Sequence, residues 1–213
     1  MGTEAIVPLK SVSSTKQRLT AALSEVARQS LVKAMAEDVL SQLRLHPGID
    51  SVSIVCGDGW SAAQFADPTT RVWHESTLGV NGLNGVLTAA LKKAESDSVL
   101  LIHGDLPFLQ RDDITTVLSA ASRVDVVLCS DQSGVGTNAL LMQREEPMVL
   151  SFGERSFARH CETVTALGAS WEALQSAGLA TDIDTPEDLA LLGPEAVGLG
   201  MRTAAWCRDN RWR

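Results

Sequence analysis

Short apolar runs alternate along the chain with segments of helical periodicity. Ala5-Ile6-Val7-Pro8-Leu9 reads as a first strand, followed by a polar stretch from Lys10 to Thr20 dense in Ser, Thr and basic residues. Ser24 then caps a long helix in which Ala27, Leu31, Met35, Val39 and Leu43 recur every four residues and trace one face. Pro47-Gly48 ends that helix. Residues 52–56 are a second strand, 60–66 a short helix, 71–74 a third strand and 82–94 a helix. The strand at 97–103 contains the continuous run Val99-Leu100-Leu101-Ile102, which suits burial on both faces. A helix at 112–122, strands at 124–129 and 138–142, and a helix at 156–167 follow. Strands at 170–175 and 180–183, a helix at 186–192 and a last helix from 201 complete the pattern. Such alternation predicts an α/β fold around a mainly parallel sheet. No repeat, low-complexity stretch or linker interrupts it, so residues 1–213 are expected to form a single domain.

Composition narrows the class. Of 213 residues, 45% are hydrophobic and 21% charged, which suits a soluble globular chain with a substantial core. The formal net charge of −8 lacks the basic footprint of a nucleic-acid binder. No apolar stretch approaches the roughly 18 residues of a membrane span, and the start carries no basic, signal-like segment. Cys56, Cys129, Cys161 and Cys207 form no C-x-x-C pair, and free thiols in a reducing cytoplasm are the expectation.

In parallel α/β sheets ligands bind at the carboxyl ends of the strands. That rule selects Lys10, Gly57, Glu75, Asp105, Thr137 and Asp184. Lys10, Lys16 and Arg18 place three cations in the polar loop after the first strand, a local anion site in an acidic protein, with phosphate the natural anion. A solvated polar loop is the plain alternative. Gly104-Asp105-Leu106-Pro107 follows the most apolar strand, so its carboxylate is aimed off the sheet edge, where it can hold Mg²⁺ beside substrate phosphates. In DIDTPEDL, Thr185, Pro186 and Asp188 read as N-cap, first helical residue and capping-box acid. That leaves Asp184 for chemistry. Two carboxylates from two strand ends beside a basic loop point to a divalent metal bound with a nucleoside triphosphate.

Rival signals are weaker. Gly57-Asp58-Gly59-Trp60-Ser61-Ala62 fits a dinucleotide-binding spacing but follows the second strand, before a short helix. No Walker-type phosphate loop and no G-x-S-x-G elbow is present, and His46, His74, His103 and His160 show no ligand spacing. The Gly-containing turns at 134–138 and 152–156 each carry a hydroxyl, and the second opens a helix, where backbone amides favour an anion.

VPLK with KQRL, then GLNGVL, GDLPFL, GTNALL, FGERSFARH and DIDTPEDL, occur in this order. The set resembles the 2-phospho-L-lactate guanylyltransferase (CofC) family of coenzyme F-420 biosynthesis, over roughly residues 4–192. The resemblance implies a three-layer α/β/α nucleotidyltransferase fold, GTP with Mg²⁺, and an acceptor that is 2-phospho-L-lactate, phosphoenolpyruvate or 3-phospho-D-glycerate. The family's acceptor contacts would fall on Thr137, Gly153 and Ser156, and its metal carboxylates on Asp105 and Asp184. Two departures stand out: KSVSSTKQRL contains no glycine, and Glu154-Arg155 replaces a frequent Pro-Gly. Lys16 and Arg18, in a loop expected to be exposed and flexible, are assigned to the triphosphate with Lys10. Gly82, Leu83 and Asn84 are assigned to base or ribose contact, with Asn84 as an ordinary helix-start residue the equal alternative. A molybdenum-cofactor type of nucleotidyltransferase and a catalytically silent nucleotide-binding subunit are the alternatives. The partners expected are small molecules, with room for a homodimer.

Overall fold

The computed structural model describes residues 2–65, 67, 69–144, 148–193 and 195–212. One sheet contains seven strands: β1 (Thr3–Leu9), β2 (Ser51–Cys56), β3 (Thr70–His74), β4 (Ser98–Ile102), β5 (Val126–Ser130), β6 (Thr137–Gln143) and β7 (Trp171–Leu174). Their order is β3-β2-β1-β4-β6-β5-β7, parallel throughout except that β6 runs antiparallel to β4 and β5. The α-helices are α1 (Glu25–Arg44), α2 (Gly82–Leu91), α3 (Arg111–Ala121), α4 (Ser156–Ala166), α5 (Ala177–Ala180), α6 (Pro186–Leu189) and α7 (Met201–Asp209). None among the described residues is long and apolar enough to cross a membrane.

Successive strand side chains point to opposite faces, and this divides the interior into two apolar layers. Ala5, Val7 and Leu9 of β1, with Leu100 and Ile102 of β4, pack beneath α1, α3 and α7. Ile6, Val99 and Leu101 pack on the other face beneath α2 and α4. The result is an α/β/α sandwich. The four-residue spacing in α1 does what it predicts: Leu31, Met35, Val39 and Leu43 are fully buried, and Ser24 Oγ accepts the Ala27 N–H at 3.3 Å.

One expected strand is absent. Residues 177–180 form the single turn α5, and 181–184 run irregularly into α6. The Asn138 side-chain amide donates to the carbonyls of Leu179 and Ala180 at 3.1 and 3.3 Å, and the Gln132 N–H donates to Ala180 at 2.9 Å. These partners satisfy the backbone without a ladder. The short helix expected at 60–66 is a 3-10 turn, Ala62–Phe65, and Ala66 lies outside the described residues.

Because β6 is antiparallel, its first residue, Thr137, lies at the same sheet edge as the last residues of β1, β2 and β4. Residues far apart in sequence therefore converge on one edge.

Candidate active site

A cleft of about 760 Å³ opens along that edge, and Lys10, Lys16, Arg18, Leu83, His103, Asp105, Thr137, Gly153, Ser156, Asp182 and Asp184 are among the residues lining it. Gly82 and Asn84 do not line it.

At its centre Asp105, Asp182 and Asp184 each bring one carboxylate oxygen within 4.8 Å of the others. Asp105 leaves β4 one residue beyond Gly104, where a Cβ would come 2.5 Å from Leu9 Cδ2. The glycine thus lets the turn lie close to β1. In the irregular run 182–184 Ile183 enters the core while the aspartates on either side of it face the cleft. Asp188 fixes this geometry, because its carboxylate accepts the N–H groups of Asp184 and Thr185 at 2.9 and 2.8 Å. The capping box of α6 therefore also anchors Asp184.

The Lys16 ammonium lies between Asp105 and Asp184 and bonds to both. Its side chain is only 4% exposed. Burial by itself would lower its pKa, yet the two carboxylates outweigh burial and raise it, so the group is a fixed cation. Asp105 is the counterpart: burial pushes its pKa up, but Lys16 reverses this and holds it below the ordinary range. Asp182 lacks such a partner. Burial, then the neighbouring Asp105, push it up to about 6, although Asn138 donates to it at 3.2 Å. Two of the three carboxylates already hold an internal cation, and Asp105 Oδ1 is buried without a hydrogen-bond partner among the described residues. This donor set fits Mg²⁺.

The expectation of an exposed basic loop is corrected for Lys16. Val12 and Leu19 insert into the core, and the buried Arg28 of α1 donates to the carbonyl of Thr15. Lys16 itself adopts a left-handed conformation, φ 52° and ψ 41°, which turns its side chain inward from the start of a 3-10 turn. Lys10 and Arg18 remain exposed at the cleft. The glycines of the dinucleotide-like motif have a different task. A Cβ on Gly57 would stand 2.6 Å from Ser11 N, while Asp58 O accepts the Val12 N–H at 2.9 Å and Trp60 Nε1 donates to Lys10 O at 2.9 Å. The 57–60 turn is the backing of the basic loop. Gly57→Ala is therefore expected to cost about 1–3 kcal/mol, since backbone must shift to admit the methyl group. Urea unfolding tests this, and an unchanged midpoint would show that the loop is not held by this close approach.

The second half of the cleft is built on β6 and α4. Ser156 Oγ accepts the Thr137 N–H at 2.9 Å, and Thr137 Oγ1 bonds to Nδ1 of the fully buried His160 at 2.9 Å. Gly153 has φ 116°, a conformation that L side chains rarely adopt, and Arg155 has φ 51° at the N-cap of α4. A glycine would meet this left-handed position without strain, and Arg155 meets it at a cost of roughly 1–2 kcal/mol.

The expectation for Asn84 also changes. Its Oδ1 accepts the Phe152 N–H at 2.7 Å and its Nδ2 donates to Phe152 O at 3.0 Å. Both ends of the amide bond to the backbone of Phe152, so Asn84 clamps the turn at 152–156. The motif reading passed over Asp182, His103 and His160. For Asp182 a signal existed, the D-x-D spacing at 182–184. The two histidines have no mutual spacing in the sequence, and only folding places them on either side of Phe152, with ring centroids 5.4 and 4.9 Å away.

A carboxylate cluster and a basic loop at the carboxyl edge of such a sheet define a nucleotidyltransferase architecture. A described nucleotide-diphospho-sugar transferase from Desulfovibrio desulfuricans G20 has this fold, with a TM-score of 0.81 at 17% identity over 99% of this chain and 96% of that one. The chain belongs to the family described as "Guanylyl transferase CofC like", which matches residues 3–197. It is 32% identical to the phosphoenolpyruvate guanylyltransferase of Sphaerobacter thermophilus, covering 92% of this chain and 95% of the relative. It is 34% identical to the 2-phospho-L-lactate guanylyltransferase of Methanothermobacter thermautotrophicus, covering 89% and 83%.

Proposed function

We propose that this protein transfers GMP from GTP to a small phosphorylated acid, with release of pyrophosphate, in coenzyme F-420 biosynthesis. The observation that carries the reading is a cleft in two halves. A cation-and-carboxylate centre, Lys16 with Asp105, Asp182 and Asp184, adjoins a hydroxyl-lined turn at Thr137, Gly153 and Ser156. Relatives named for phosphoenolpyruvate and for 2-phospho-L-lactate share the acceptor chemistry: one phosphate and one carboxylate on a small skeleton.

A phosphate oxygen of the acceptor attacks the α-phosphorus of GTP, and the bond to the β-phosphate oxygen breaks. The acceptor needs no general base, because the second pKa of a phosphate monoester is about 6 and the dianion dominates at neutral pH. His103 lies at the cleft, but burial pushes its pKa down and leaves it neutral, so it adds no charge. What the protein must supply is positioning and charge neutralisation. Lys10, Lys16 and Arg18 put positive charge against the triphosphate and the departing pyrophosphate. Thr137, Gly153 and Ser156 receive the acceptor's anionic groups at the start of α4, where backbone amides favour negative charge. Asp105, Asp182 and Asp184 would hold Mg²⁺, which when bound supplies further positive charge to the phosphates.

The test is a panel of phosphoenolpyruvate, 2-phospho-L-lactate and 3-phospho-D-glycerate against ATP, CTP, GTP and UTP, read by pyrophosphate release and product mass. A GMP adduct of one acid is expected. Pyrophosphate release with none of the acids would overturn the reading.

A further inference from the structure

The hydrogen bonds around α4 determine which way each proton points, and this assigns a role to a residue outside the cleft lining. We infer that His160 is a positioning residue for the acceptor: its ring makes the Thr137 hydroxyl an obligate donor into the cleft. The inference rests on the reading that the acceptor's anionic groups meet Thr137 and Ser156.

The backbone N–H of Ser151 points at His160 Nε2, 2.9 Å away. A backbone N–H can only donate, so Nε2 must present its lone pair. A neutral imidazole with an unprotonated Nε2 carries its hydrogen on Nδ1. That hydrogen faces Thr137 Oγ1 at 2.9 Å, so the hydroxyl oxygen accepts. Its own hydrogen is left over, on a residue that lines the cleft. A doubly protonated ring would set two N–H groups against each other at Ser151. Burial, followed by the nearby Arg159 charge, favours the neutral ring and lowers its pKa to about 4.

Ser156 follows the same logic. Its Oγ accepts the Thr137 N–H at 2.9 Å, so its hydrogen is also free to be donated. Two neighbouring hydroxyls, each already accepting from the protein, are left as donors. That polarity suits a ligand whose groups only accept, as a carboxylate and a phosphate dianion do. Orientation of the imidazole is itself enforced. Phe152 meets the His160 ring edge to face, 73° between planes, and Asn84 clamps the Phe152 backbone from α2.

The experiment uses the full chain with GTP, Mg²⁺ and phosphoenolpyruvate, or whichever acid the panel selects. His160→Gln places its amide near the Nε2 position and removes the Nδ1 donor. It is expected to raise the acceptor KM about tenfold, the scale of one hydrogen bond to an anion, with the GTP KM within about twofold of the parent. His160→Asn, whose amide can take the Nδ1 place, is expected to recover most of the loss. In a Thr137→Val background, His160→Gln is expected to add less than about twofold, because the hydroxyl it acts through is gone. A full tenfold effect in that background would overturn the inference while leaving the acceptor site in place. If Thr137→Val and Ser156→Ala both leave the acceptor KM unchanged, the acceptor placement fails and the inference falls with it. A measurement on the unaltered protein needs no variant to fold: ring ¹⁵N shifts should report the Nδ1–H tautomer of His160. The Nε2–H tautomer would refute the assignment.

Discussion

Asp105→Asn is expected to lower turnover on the order of 100-fold or more, the scale of losing one preorganised electrostatic partner in a water-poor site. The substitution keeps size and shape but removes a charge from the cluster of three carboxylates. It also removes one of the two anions that hold Lys16. Stability should fall by about 1–2 kcal/mol, less than the roughly 3–5 kcal/mol of a fully buried broken pair, because Lys16 keeps Asp184 and the site faces the cleft. Steady-state kinetics and urea unfolding on the same variant separate the two effects. Undiminished turnover would remove Asp105 from the mechanism.

Lys16→Ala carries the second large effect. Without the ammonium, three carboxylates within 4.8 Å of one another have no cation between them. Mutual repulsion in a partly desolvated site should cost about 2 kcal/mol in metal-free buffer at pH 8. For a domain of this length that is a fall in Tm of about 4–8 °C. Millimolar Mg²⁺ should restore most of the loss, since it neutralises the same oxygens. Turnover should fall about 100-fold even at saturating Mg²⁺, because the triphosphate has lost a fixed cation. Thermal unfolding with and without MgCl₂, beside kcat, tests both claims. A loss of stability that Mg²⁺ leaves untouched, with normal turnover, would make Lys16 an internal structural cation with no part in the reaction.

Two features of the cleft loops now have physical content. The loop after β1 contains no glycine, and its fixed shape comes from outside: Arg28 holds Thr15, and the glycine turn at 57–60 supplies the close approach. Arg155, by contrast, keeps a left-handed conformation that a glycine would adopt freely. Its neighbour Gly153 remains, and with it the turn that opens α4.

The sequence by itself determined the layers and most of the chemistry's raw material. Continuous apolar runs and four-residue apolar spacing are local properties, and they predicted β1, β4 and α1 correctly, because burial follows from which neighbours in sequence are apolar. The strand-end rule likewise brought forward Asp105, since an acidic residue after a buried strand has little place in the core, whereas Asp184 was reached through an expected strand that the fold does not contain. Local spacing failed where another part of the chain supplied the partner. Residues 180–183 read as a strand by apolarity, but 177–180 form a helical turn whose Leu179 and Ala180 carbonyls accept from the side chain of Asn138, about forty positions earlier. Asn84 read equally as a ligand contact and as an ordinary helix-start residue, and its bonds to Phe152, 68 positions on, were invisible in the sequence. Lys16 read as an exposed cation because its neighbours are polar. Only folding brings it against Asp105 and Asp184, 89 and 168 positions away, where paired charge outweighs the cost of burial. The same holds for His160 and Thr137: which atom donates is set by a distant backbone N–H, and no local pattern encodes it.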